Sequence, residues 1–230
     1  MLTARMLEHL AGAAEDMDGL VLDVGANLGS YVLPLAKVYT GLDFVCFEPQ
    51  QPVFEQLLRN VRENELTNVV AHALALAEAA GSCRAVLPDY DKERNIGAFS
   101  LDPQVLENDY EVRTTGQTQQ VELRTLDSFD YDRVRMLKVD VEGMELSVLK
   151  GAARTLERSG FPPILFEAWR WKSWYSQRRL ELIAWIESWG YQVHSLGAFA
   201  NLAQHPNYAR VLPMTAVSYT HLTLPTNREV

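Results

Sequence analysis

The chain has 230 residues, 47% of them hydrophobic, and carries a formal net charge of −9, with an isoelectric point near 5.1. That content can bury one sizeable core, whereas an acidic chain with no block of Lys or Arg lacks the surface that grips a phosphate backbone, so no nucleic acid partner is expected. With only two cysteines, Cys46 and Cys83, and no apolar run near the ~18 residues of a membrane span, a disulfide framework and a membrane partner are excluded, and a soluble cytoplasmic protein is expected.

The first 18 residues are too polar and acidic for a secretory leader and are expected to form a helical segment. Strand-length apolar runs then follow over 20–24, 44–47, 69–73, 136–139 and 163–166, alternating with segments of helical period. A helix is expected over 52–65, where Phe54, Leu57, Leu58 and Val61 share a face, and another over 145–150. A third, over 178–189, has Leu182, Trp185, Ile186 and Trp189 on one face and stops at Gly190. Residues 191–196 read as a strand, and 208–213 as a final one that Pro213 confines to an edge. The alternation implies an α/β fold, a mostly parallel sheet with helices on both faces, as a single domain over residues 1–216.

Two stretches depart from this pattern. Residues 89–120 are polar, charged and rich in turn formers, a long excursion of the kind that serves function, and are expected to be a substrate-side insertion. Residues 217–230, VSYTHLTLPTNREV, show no periodicity and look like translated sequencing-adapter read-through. We expect a non-native tail there, a genuine disordered tail being the competing reading.

The stretch GLVLDVGANLGSYVLPLAK, residues 19–37, runs from a buried strand through a two-glycine turn into a helical pattern, the place where a nucleotide-like cofactor binds. A dinucleotide fingerprint starting at Gly25 demands glycine where the chain has Asn27 and Ser30, and an Asn side chain obstructs the close approach of pyrophosphate. Asp23, just before the turn, repels a diphosphate but suits an ammonium or sulfonium centre. Glu48, at the tip of the next strand and ~20 residues past the loop, is placed to accept from both ribose hydroxyls. S-adenosyl-L-methionine carries all of these groups and no phosphate, and is the expected cofactor. The plainer reading makes Gly25 and Gly29 a tight turn and the two acids solvated strand ends. Two rival functions stay open: a nicotinamide-dependent oxidoreductase, and a non-catalytic S-adenosylmethionine-binding module.

The segments VLDVGANLGSY, FEPQ and LKVDVEGMELSVLKGA, in this order and spacing, resemble the FkbM-type family of S-adenosylmethionine-dependent methyltransferases over about residues 19–168. The resemblance implies a class I methyltransferase (Rossmann-like) fold and methyl transfer, commonly to a hydroxyl of a sugar, glycan or secondary metabolite. It implies a cofactor loop of Asp23, Gly25, Ala26, Asn27 and Gly29 with Glu48 on the ribose, and it places residues 72–75 near the adenine, assigning His72 and Ala73 to the cofactor. The stretch AHALALAEAAG has no Asp or Asn at the spot where the family has one. In the insertion, NIGAFSL is similar to a family pattern that assigns Asn95, Gly97 and Ser100 to the substrate; a hairpin turn is the other reading.

The carboxylates supply the chemistry. Asp140 and Glu142 follow an expected central strand at its carboxyl end, where open α/β sheets put their ligands, and Lys138, Asp140 and Glu142 project to one side of an extended chain. Asp140 is expected as base or acceptor-orienting group with Lys138 holding its charge, and Glu142 joins them as a catalytic candidate. Glu142 and Glu145 can equally serve the start of the following helix. Asp140 and Glu142 could alternatively hold a divalent cation; with five histidines and no paired ligand motif, no metal is expected. Glu167 ends the fifth strand and is expected to face the pocket as a substrate-binding residue with Trp169; Trp169, Trp171, Trp174 and Tyr175 follow it as a stacking wall for a small-molecule or saccharide acceptor, or as core packing.

Overall fold

The computed structural model describes residues 18–92, 97, 99–108, 113–197 and 199–209. The expected N-terminal helical segment, Asn95, positions 210–213 and the tail from 217 lie outside the described residues.

β1 (Leu20–Val24), β2 (Asp43–Phe47) and β3 (Val69–His72) alternate with α1 (Val32–Val38) and α2 (Gln51–Glu63). After a short β4 (Ala75–Leu76) come β5 (Gly81–Pro88), α3 (Pro103–Asn108) and β6 (Thr114–Arg124). β7 (Val134–Val139), α4 (Glu145–Lys150), α5 (Ala153–Arg158), β8 (Ile164–Glu167), α6 (Ser176–Ser188), β9 (Gln192–Ser195) and β10 (Ala200–Gln204) complete the order. Among the described residues, seven strands form one sheet in the order β3-β2-β1-β7-β8-β10-β9, and β4-β6-β5 form a smaller one. The pairs from β3 through to β8 are parallel, whereas β10 runs antiparallel to both β8 and β9.

Alternation along the strands divides the core. Leu22, Val24, Val45, Phe47, Leu137 and Val139 face α4, α5 and α6, while Val21, Phe44, Cys46 and Met136 face α1 and α2. Helices therefore cover both faces, as expected, and the near-continuous apolar strands follow from burial on two sides. Pro52, at the beginning of α2, is pre-organised for the first helical turn, where a missing N–H costs nothing.

Two stretches differ from expectation. Among the described residues the last strand of the sheet is β10; Tyr208 and Ala209, all that is described of the strand expected over 208–213, lie in a bend beyond it. β10 reads ANLAQ, with buried Asn201 and Gln204 and no β-branched residue, so it lacks the composition that marks a strand. Residues 114–120 are not loop but the first part of β6, a mostly exposed strand paired antiparallel with β5. Exposure on both faces makes such a strand read as polar.

The sheet reverses direction of growth at β1: the chain builds outward through β2 and β3, then returns on the other side with β7. The crevice beyond the strand ends at that point is where open α/β sheets bind ligands. Gly25 closes the β1–α1 turn there with φ +78°, and its N–H donates to Phe47 O at 3.0 Å. A Cβ at this position would lie 1.8 Å from Asp140 O. Gly25→Ala therefore combines backbone strain of about 1–3 kcal/mol with a backbone clash, and its melting temperature is expected to fall by roughly 5 °C or more; a thermal scan matching wild type would contradict this packing.

Candidate active site

An open cleft lies at this switch point, the place where ligands bind in open α/β sheets. Val24, Gly25 and Asn27 form its floor, Glu48 and Gln50 one side, and Asp140, Val141 and Glu142 the other. Leu74, Ala75, Leu76, Phe99 and Leu101 supply an apolar wall. Among the described residues that line it there is no Lys, Arg or His, and the charged ones are Glu48, Asp140 and Glu142.

The floor is built by Asn27. Its φ of +52° is a conformation Asn tolerates better than most residues, and its Oδ1 accepts from Leu28 N at 2.7 Å. Its own N–H donates to Glu48 Oε2 at 2.9 Å, linking the loop to the tip of β2. Glu48 is 3% exposed; burial raises its pKa against the hydrogen bonds from Gln50 and Asn27 that favour the carboxylate.

Asp23 lies one step back in β1, fully buried, and the parallel register sets it directly beside Lys138. The Lys138 ammonium donates to Asp23 Oδ1 at 2.9 Å and to Gly25 O at 3.4 Å, and lies 3.4 Å from Asp140 Oδ2. Burial works against its charge, but Asp23 and Asp140 outweigh that and hold its pKa above the ordinary lysine value. Asp23 Oδ2 has no hydrogen-bond partner among the described residues.

Asp140, Glu142 and Glu167 each bring a carboxyl oxygen within 4.8 Å of the others, a convergence across β7 and β8 that single-strand spacing did not reveal. Glu142, with φ +52°, turns its side chain out of the strand pattern. Burial, then the charges of Glu167, Asp140 and Glu145, push its pKa up to about 9. Burial and Asp140 push Glu167 up to about 8, opposed by a hydrogen bond from Trp169. Glu145 serves the backbone: its Oε1 accepts from Val141 N and Gly143 N, and its Oε2 from Tyr175 OH.

Several expected site residues lie elsewhere. His72 and Ala73 are outside the cleft lining, because the His72 ring stacks on Phe47 at 5.2 Å and its Nε2 pairs with Tyr131 OH; the wall begins two residues later, at Leu74. Trp169 is 4% exposed and packs with Trp174 and Tyr175 in the core, and it hydrogen-bonds Glu167. Ser100 does not line the cleft: its hydroxyl donates to Glu142 O at 2.6 Å and accepts from Asp102 N, tying the insertion to the acidic loop. Ala26 and Gly29 shape the turn without lining it, whereas Gly97 does line it. Sequence reasoning missed Gln50, Tyr90 and Arg178. Arg178 donates to Gly143 O at 3.0 Å and to Gln104 Oε1 at 3.0 Å and pairs with Asp102, so it fastens α3 to the loop after β7.

The family described as the methyltransferase FkbM domain matches residues 23–193. The chain belongs to this family. Two curated relatives are fungal: Methyltransferase 1 of Beauveria bassiana, 28% identical over 58% of this chain and 58% of that protein, and Methyltransferase sdnD of Sordaria araneosa, 31% identical over 57% and 59%. The chain thus spans less than two thirds of the length of these relatives. Among solved structures, the FkbM methyltransferase of Methylobacillus flagellatus superposes with a TM-score of 0.56 at 19% identity, over 82% of this chain and 44% of that one. At that identity the likeness concerns the fold, that of the class I methyltransferases.

The carboxyl trio makes a testable demand on stability. A carboxyl whose folded pKa exceeds its unfolded value contributes stability that is fully present below about pH 4.5 and lost as pH rises through 8 and 9. Glu142→Gln and Glu167→Gln remove the titration, so each is expected to gain on wild type at pH 9 relative to pH 6. The expected gain is ~2–4 °C, about 1 kcal/mol at this chain length. Melting curves whose separation is the same at both pH values would refute it.

Proposed function

We propose that this FkbM-family protein is an S-adenosyl-L-methionine-dependent methyltransferase acting on a hydroxyl of a small-molecule or saccharide acceptor. The observation that carries this reading is Glu48, buried at the β2 tip and bonded to the β1–α1 loop, in a cleft whose charged residues, among the described ones that line it, are all carboxylates. A ligand with a sugar diol and a positive centre fits that donor set, and a diphosphate does not. The unpartnered Asp23 Oδ2 and the glycine turn that admits only backbone support the same fit.

Glu48 is proposed to hold the ribose, with Gly25 and Asn27 beneath the amino-acid portion and Leu74, Ala75, Leu76, Phe99 and Leu101 around the adenine. His72 and Ala73 contribute through the backbone: His72 O accepts from Glu48 N at 3.1 Å and sets the β2 tip. The bound cofactor supplies a methyl group already activated on a sulfonium. The chain's own task is to orient the acceptor and take its proton. Asp140, paired with Lys138, is the group we assign to that proton. Glu142 and Glu167 accept hydrogen bonds from or donate them to the acceptor according to pH. Gly97 belongs to the acceptor side in this reading, with Ser100 and Trp169 holding Glu142 and Glu167 in place. No metal is part of the proposal.

S-adenosylhomocysteine is expected to bind the purified protein, and Glu48→Ala to weaken it at least tenfold, since a charge-assisted hydrogen bond contributes about 1.5–3 kcal/mol. Titration calorimetry decides; no binding at millimolar ligand ends the reading. Asp140→Asn should keep that affinity and reduce transfer of labelled methyl groups into fractionated extract acceptors by about 10²–10⁴-fold. Undiminished transfer would remove Asp140 from its role.

A further inference from the structure

Glu48 does not stand alone at the β2 tip. Its Oε1 accepts from Gln50 N at 2.9 Å and from Gln50 Nε2 at 3.3 Å, while Oε2 accepts from Asn27 N. Three of about four acceptor positions on the carboxylate are therefore taken, and the direction of the remaining one is set by these donors. Gln50 is 3% exposed, so its amide must find partners within the protein.

The far end of that amide is held by Tyr90, whose hydroxyl donates to Gln50 Oε1 at 3.0 Å. An amide can rotate to exchange its oxygen and nitrogen, and only the surrounding donors and acceptors decide between the two. With Tyr90 donating on one side and Glu48 accepting on the other, the exchanged state would set oxygen against carboxylate and nitrogen against a hydroxyl donor. Burial and the nearby Glu48 charge push the Tyr90 pKa up to about 12, so the phenol keeps its proton across the working range. Tyr90 follows directly on β5, in the segment read from the sequence as facing the acceptor.

Gln119, from the partner strand β6, makes a second attachment. Its Nε2 donates to Pro49 O at 2.7 Å and its Oε1 accepts from Gln51 N at 3.0 Å. The smaller sheet thus holds the Glu48–Gln51 turn by its backbone, and Tyr90 reaches through Gln50 to the carboxylate itself.

We propose that Tyr90 and Gln50 are positioning residues for cofactor binding, fixing the Glu48 carboxylate in the orientation that accepts a ribose diol. The proposal rests on the S-adenosylmethionine reading above. Neither residue touches the reacting atoms; their effect passes through Glu48. The β5–β6 sheet is consequently part of cofactor recognition, not only of the acceptor side.

Calorimetry with S-adenosylhomocysteine tests this in wild type, Tyr90→Phe, Glu48→Gln and the double variant. Tyr90→Phe removes one hydroxyl and is expected to weaken binding about three- to tenfold, the worth of one neutral hydrogen bond. The same substitution is expected to change nothing further in the Glu48→Gln background, and nothing for an adenosine ligand lacking the ribose diol. Equal affinity of wild type and Tyr90→Phe overturns the inference. So does an equal loss for ligands with and without the diol, which marks a purely structural role. Wild type that fails to bind S-adenosylhomocysteine at all defeats the cofactor reading itself, and the inference with it; wild-type binding with an inert Tyr90→Phe defeats the inference alone.

Discussion

One buried carboxylate joins the two turns that make the cleft. Glu48 and Asn27 are 21 positions apart in the chain, and the parallel pairing of β1 with β2, Val24 opposite Phe47, brings them together. Phe47 O also accepts from both Gly25 N and Ala26 N, so the loop is tied to β2 at three points. The left-handed backbone at Asn27 aims its N–H at the carboxylate, which is why an asparagine stands where a pyrophosphate loop needs glycine. A hydrogen bond to a charged group contributes about 1.5–3 kcal/mol, and loss of the acceptor would leave a buried N–H unsatisfied as well. The geometry of the floor depends on the sheet register and on this one acid.

Charge balance explains the opposite wall. Lys138 is shared by Asp23 and Asp140, and its pKa is held up by both. No cation among the described residues that line the cleft answers Glu142, and burial beside other carboxylates drives its pKa to about 9, with Glu167 following to about 8. Burial beside one another keeps Glu142 and Glu167 protonated at neutral pH, so this wall of the cleft holds protons.

The central fold was legible because its signals are local. Apolar runs at β1, β2 and β7 and the one-sided pattern of α2 report burial directly, and the boundaries read from them shift by only a residue or two. Glu48 was legible because its distance from the glycine turn is a property of a βαβ unit. The small sheet was not, since β6 exposes Gly116, Gln117 and Thr118 and reads as loop. β10 was missed for the opposite reason, burying amides where branched apolar side chains were sought. The carboxyl trio joins β7 to β8, and the contacts of Tyr90 and Arg178 span 40 and 35 or more positions, so no spacing rule could anticipate them.

Tyr90 stands at the start of the excursion between β5 and β6 and Gln119 in β6 beyond its end, while α3 within it is fastened separately through Arg178 to the loop after β7. The described parts of the excursion are therefore held at separate points, Tyr90 at one end and Ser100 and Arg178 beside α3. Each point can give way without releasing the other, so this flank of the cleft is held in parts rather than as one rigid unit.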